Sequence, residues 1–128
     1  MNIKHDIGVA AHIGNYSDAV EVPAGAKWLF TAGTPGLAAD GSVPEGIAAQ
    51  AELAWEHMAT LLERAGMSMS DVVKVTQYLV RESDIADYAR VRSRYLQDAG
   101  RPASMLLVIP ALVRPGFLVE IELIAARS

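Results

Sequence analysis

The chain contains no cysteine. Disulfide staples, thiolate nucleophiles and cysteine-ligated metals are therefore excluded. Charge is sparse as well: 11 Lys and Arg stand against 15 Asp and Glu, for a formal net charge of -4. No run of basic residues occurs. Nucleic acid is thus not an expected partner, because its binding depends on neutralising phosphates. No apolar stretch is long enough to span a bilayer. The first eleven residues include Lys4, His5 and Asp6 and lack the apolar run of a signal peptide. Together these absences predict a cytoplasmic protein with no membrane partner. His5, His12 and His57 have no metal-ligand spacing, so no metal is expected. Ser17 and Ser104 lack a His/Asp arrangement nearby, which argues against nucleophilic serine catalysis. Gly33-Thr34-Pro35-Gly36 lacks the lysine and hydroxyl of a phosphate loop.

What the chain has in abundance is apolar residues, at 52% of its 128 positions. That length makes one domain, residues 1–128, with enough chain to bury a core. The apolar excess predicts that some surface is buried against another subunit.

The segment Leu118-Val119-Glu120-Ile121-Glu122-Leu123-Ile124-Ala125 alternates at period two and reads as a strand. Val119, Ile121 and Leu123 point to one face, Glu120 and Glu122 to the other. An acid at a half-buried seam can serve as a proton carrier near neutral pH; on an open sheet face it is merely solvated.

The remaining elements follow from similar patterns. Strands are expected over 16–22 and 27–32, joined as a hairpin through Pro23-Ala24-Gly25. Ser42-x-x-Glu45, with Pro44 between, reads as a capping box. It opens a helix striped by Ile47, Ala51, Ala54, Trp55, Met58 and Leu62, with Gly66 as its terminator. A strand over 72–80 comes next, followed by a helix capped at Ser83-Asp84 and striped by Ile85, Tyr88, Val91 and Tyr95. Another strand spans 104–109. Arg114-Pro115-Gly116-Phe117 suits a type II turn into the last strand. The order β-β-α-β-α-β-β predicts an α/β (α+β) fold, a mixed sheet with two helices packed on one face. The uncovered face keeps apolar residues, expected to be Leu106, Val108, Leu118 and Ile124. A second copy of the chain is the natural cover. His57 is expected at the helix surface.

In their order and spacing, several segments together resemble one family. They are Gly14-Asn15-Tyr16, Thr31-Ala32-Gly33, Val43-Pro44, Ile47-Ala48-Ala49-Gln50-Ala51, Leu62-Glu63-Arg64-Ala65-Gly66, Asp71-Val72-Val73-Lys74-Val75-Thr76, Arg101-Pro102-Ala103 and Val119-Glu120-Ile121-Glu122. The chain resembles the RidA/YjgF-like reactive-intermediate deaminases, also labelled endoribonuclease L-PSP, from about Ile13 to Ala126. The resemblance implies a chorismate-mutase-like fold and a homotrimer with a ligand cleft at each subunit interface. It also implies hydrolysis of a small imine or enamine metabolite, such as 2-aminoacrylate, to a 2-oxo acid and ammonia, without a cofactor. Glu120 matches the family's site glutamate, Tyr16 its tyrosine and Gly33 its loop glycine.

The departures carry their own expectations. Deaminating members have arginine after Pro-Ala, where this chain has Ser104. A hydroxyl offers a hydrogen bond but no charge. Ala89 and Ala32 replace polar residues, and Leu106 stands where some members have cysteine. Weak or absent activity on 2-aminoacrylate-like imino acids is therefore expected. Arg101 and Arg114 are the candidate replacements for the missing charge, Arg101 being the better placed. The alternative is a non-catalytic metabolite-binding or regulatory module.

Overall fold

The computed structural model describes residues 1–97 and 99–128. It folds them as β1 (Ile3–His5), β2 (Ala19–Glu21), β3 (Lys27–Phe30), β4 (Thr34–Pro35), α1 (Ile47–Arg64), β5 (Val72–Leu79), α2 (Ile85–Leu96), β6 (Ala103–Val108) and β7 (Val119–Arg127). The alternating segment becomes β7 and lies inside the main sheet, whose order is β3-β7-β5-β6. β7 runs antiparallel to β3, β4 and β5, while β5 and β6 are parallel across the α2 crossover. The sheet is mixed, with both helices on one face, as the element order predicts.

The period-two pattern decides which residues reach the core. Val119, Ile121, Leu123 and Ala125 of β7, with Val75 and Leu79 of β5, pack against Ala51, Ala54, Trp55, Met58 and Leu62 of α1 and Tyr88 and Val91 of α2. Each large apolar side chain buried there contributes about 1.5–3 kcal/mol. Trp55 also stacks on Tyr95, with ring centroids 6.0 Å apart, joining the two helices. Two buried amides tie the helices to the sheet. Gln50 of α1 donates to the carbonyls of Pro44 and Gly116, 3.0 Å each, and accepts the Leu118 N–H at 2.9 Å. Gln77 of β5 donates to Ser104 Oγ and the Met105 carbonyl and accepts from Tyr88 Oη and Arg92.

Local structure departs from the sequence reading in several places. The expected hairpin of the first two strands does not form. β2 pairs instead with β1 at Ile3↔Glu21, and β3 pairs with β7. The Asp18 carboxylate accepts the N–H groups of Ile7 and Ala10, at 2.7 and 2.8 Å, and binds the loop after β1 to the start of β2. Those backbone donors hold its pKa below the ordinary carboxylate value.

The expected capping box at Ser42 is also absent. Both the N–H and the hydroxyl of Ser42 bond Asp40 Oδ1, closing an Asx-type turn before the helix. α1 starts later, at Ile47, after Gly46 with φ +88°. A capping box does occur at Ser68–Asp71, leading into β5. At the other end of α1, Gly66 terminates the helix as expected. Its φ is +72°, its N–H reaches the Glu63 carbonyl at 3.0 Å, and the Met67 N–H reaches Leu62 at 2.8 Å. Asp84 does not cap α2 with its side chain; its carboxylate accepts from Nε and Nη2 of Arg81.

The facing of β6 departs as well. Parallel pairing sets Ser104 beside Val75 and Leu106 beside Gln77, so both point to the helices. Leu106 packs on the core, as does Leu118. Met105 and Leu107, not Leu106 and Val108, lie on the uncovered face and are exposed. Ile124 does sit on that face, paired with Phe30.

The loop from β4 to α1 hugs the helix. A Cβ on Gly36 would lie 2.1 Å from the Gln50 carbonyl oxygen, and His57 bonds the Leu37 carbonyl at 2.7 Å. His57 therefore pins this loop rather than standing free at the helix surface. Gly36→Ala should destabilise the fold by about 1–3 kcal/mol, because backbone blocks the added methyl. Urea unfolding checks this, and an unchanged midpoint would refute it.

Candidate functional site

Glu120 lies near the start of β7, on the sheet face that neither helix covers. β4 flanks it on one side, with Pro35 in register, and β5 on the other, with Tyr78 in register. The chain just before β4 passes against the carboxylate. A Cβ on Gly33 would sit 2.8 Å from Glu120 Oε2 and 3.2 Å from its Cδ. The glycine is needed for space, since its φ is not in the left-handed region. Glu120 and Gly33, paired by expectation, are thus in contact.

Glu122 shares that face. Tyr78 Oη donates to Glu122 Oε1 at 3.2 Å. Burial first, and then the Glu122 charge and hydrogen bond and the Glu120 charge, push the Tyr78 phenol above its ordinary pKa. A hollow of about 140 Å³ opens beside Glu122, lined also by Phe30, Lys74, Thr76 and Ile124. The pattern is a polar centre between apolar margins. Trp28 and Phe30 stack at 5.9 Å on the β3 side, and Met105 and Leu107 stand exposed on β6.

The other expected site residues gather elsewhere. Ser17 bridges to Ala103, and its N–H reaches the Pro102 carbonyl at 3.1 Å, so Tyr16 lies beside the start of β6. The Ser17 hydroxyl bonds the Arg101 carbonyl. Ser104 points into the helix layer, its Oγ accepting from Gln77 Nε2 at 3.0 Å. It and Glu120 are on opposite sheet faces, with β5 between their strands, about 10 Å in strand spacing alone. The expected grouping of Glu120 with Ser104 therefore does not form within one chain. Within the chain, the Arg101 charge is engaged elsewhere. Its guanidinium is paired with Asp6, at 2.6 and 3.3 Å, on the loop after β1. Arg114 lies over the Phe117 ring, 5.9 Å from its centroid, in the turn where Gly116 takes φ +92°.

Within the chain, two groupings of candidate residues thus stand apart, Gly33 with Glu120 and Tyr16 with the start of β6. Comparison with known proteins shows what this arrangement belongs to. The family model described as endoribonuclease L-PSP matches residues 8–127. The chain is a member of that family, the RidA/YjgF-like proteins. A RutC family protein of Pyrococcus abyssi is 35% identical over 118 residues, spanning 91% of this chain and 89% of the relative. A mouse relative, 33% identical across 92% of this chain and 85% of its own length, is named 2-iminobutanoate/2-iminopropanoate deaminase. A crystal structure of a Rid-family protein of Yersinia pestis superposes with a TM-score of 0.84 at 25% identity, covering 98% of both chains. The family thus includes imine deaminases, and its fold is the one found here. Among the described residues no helix is long and apolar enough to cross a membrane, and no group of His, Asp and Glu could hold a metal ion.

Against that family pattern, one cation escaped the sequence reading. Arg92 reaches from α2 to Gln77 Oε1 at 3.1 Å, its guanidinium 5.6 Å from the centroid of the Tyr88 ring. The available signal was its spacing, four residues after Tyr88 and so on the sheet-facing side of α2. Burial drives the Tyr88 phenol far above its ordinary pKa, and the Arg92 charge offsets only part of that rise.

Tyr78, Tyr88 and Tyr95 all have raised pKa values, each with burial as the first cause. In the unfolded chain phenols ionise near pH 10. Above that pH the folded state keeps protons that the unfolded state has released, so stability should fall as pH rises. Chemical unfolding at stepped alkaline pH should show this decline, and Tyr88→Phe should flatten it. A decline of equal slope in that variant would refute the assignment.

Proposed function

We propose that the chain hydrolyses a small imine or enamine, with Glu120 activating water, and that it works as a homotrimer with clefts between neighbouring copies. The observation that carries this reading is the Glu120 carboxylate, pressed against Gly33 on a sheet face left open by the helices, in a family that includes imine deaminases. Exposed apolar margins on that face, with Trp28 at 48% and Phe30 at 68% exposure, favour coverage by another copy. Assembly is also what could bring the two groupings, separate within one chain, into one cleft.

The chemistry needs little else. Glu120 takes a proton from water as the oxygen attacks the imine carbon. The same carboxylic acid returns that proton to nitrogen, giving a carbinolamine; the carboxylate then carries the hydroxyl proton to nitrogen as the carbon–nitrogen bond breaks, leaving a carbonyl compound and ammonia. An enamine first tautomerises to the imine. Tyr16, next to the Ser17 bridge at the start of β6, takes the role of bonding the substrate in this reading.

A second reading is a metabolite-binding module that kept the cleft and not the reaction. It is favoured by Ser104, a neutral residue whose oxygen is already engaged by Gln77.

Ammonia release from 2-aminoacrylate and from uncharged imines, generated in situ, separates the two. The enzyme reading expects weak turnover of 2-aminoacrylate and better turnover of some other imine. Glu120→Gln should lower kcat/KM by about 10²–10⁴-fold without changing the trimer mass in sedimentation. Gly33→Ala should lower activity too, because its methyl displaces the carboxylate. A native chain that binds imine analogues but releases no ammonia from any of them would establish the binding reading.

A further inference from the structure

The edge of the helix layer holds a second cluster, remote in the fold from Glu120. Asn15, Arg92, Ser93, Leu96 and Gln97 line a hollow of about 70 Å³ between the end of α2 and the segment leading to Ser17. Among the described residues Arg92 is its one charged member. Among the described residues no carboxylate is within ion-pair distance of the Arg92 guanidinium, whereas Arg81, Arg90, Arg94, Arg101 and Arg127 each have an acidic partner. Arg92 is also held in place. Its Nη1 donates to Gln77 Oε1, its Cζ lies 5.6 Å from the centre of the Tyr88 ring, and Gln77 is fully buried and fixed in turn by Tyr88 Oη at 2.6 Å and Ser104 Oγ at 3.0 Å. One bond to a neutral amide uses one of five guanidinium donors. A positioned fork of donors beside a hollow edged by an asparagine and a glutamine amide suits a planar or tetrahedral oxyanion.

We propose that this hollow is an anion-binding site, in which Arg92, assisted by Asn15 and Gln97, takes the carboxylate or phosphate group of a small molecule. The site lies beside the start of β6 and shares the Gln77 amide with Ser104. Its charge comes from α2 and not from the strand, which gives it a different depth and direction from a charge carried at position 104. The inference goes beyond the hydrolysis reading and does not require it: an anion can bind here whether or not Glu120 activates water.

The test is a titration of the full-length protein followed by the amide signals of its nuclear magnetic resonance spectrum. Three probes are used: sodium propanoate, inorganic phosphate, and neutral propanamide. The expected result is saturable movement of the Asn15, Ser93 and Gln97 signals with one or both anions and none with propanamide. Which anion saturates first identifies carboxylate or phosphate as the preferred group. Arg92→Gln should weaken the response about tenfold or more, and Arg92→Lys less, since lysine keeps the charge but not the fork. Absence of a saturable response to both anions in the native chain would overturn the proposal, as would an equal response in a folded Arg92→Gln. Should that variant fail to fold, the native contrast between propanoate and propanamide decides alone. Glu120→Gln separates the two readings, because it should lower ammonia release by the same factor of about 10²–10⁴ and leave the anion titration unchanged.

Discussion

The alternation of β7 is the constraint on which the rest of the fold depends. Val119, Ile121, Leu123 and Ala125 are all buried beneath the helices. Slipping the strand by one residue would exchange those four for two carboxylates and cost the core its centre. The same rule that builds the core therefore delivers Glu120 and Glu122 to the opposite face. β7 also holds the sheet together, since β3, β4 and β5 all pair with it. The candidate carboxylate sits on the strand least able to move.

Gln50 and Gln77 do the complementary task of fixing the helices. A buried amide constrains direction in a way that apolar contact does not, because its donors and acceptors all need partners. Gln50 links the first turns of α1 to both ends of the step into β7. Gln77 links β5, β6 and α2 at one point, and so sets where Ser104 and Arg92 can be. Both cores of order, the apolar and the polar, meet on the helix side of the sheet. The opposite side is left to charge, aromatic margins and whatever covers them.

How far the sequence revealed this depended on the range of each signal. Helix stripes, the Gly66 terminator, the Pro-Gly turn at Arg114–Phe117 and the mixed sheet were legible because each is written within a few residues. Strand partners were not. Nothing local told β2 to choose β1 over β3, and the three residues of β1 carry too little pattern to be seen. Capping at Ser42 failed because Asp40, two residues earlier, is a nearer acceptor for the same donors. At the site, Glu120 and Gly33 could be paired from the family pattern and meet in the structure. Ser104 and Arg101 could not be placed, because facing on β6 depends on its parallel register with β5, and the Arg101 partner, Asp6, lies 95 positions away in the chain. Arg92 was hidden by its type: a charged residue one position past Val91 reads as solvent-facing until the sheet beneath it is known.

β6 has a consequence for newly made chains. Its six residues, Ala103 to Val108, carry no charge at all, and it is the last strand of the sheet. Only its first residue is bridged on the outer side, by Ser17. An uncharged, apolar, open strand border is a template for indiscriminate pairing between newly made chains. Pro102 and Pro110 stand at either end of it, and neither can donate a hydrogen bond to a growing ladder. The two prolines bracket the sticky stretch, so that mispairing between copies cannot extend along the chain beyond it.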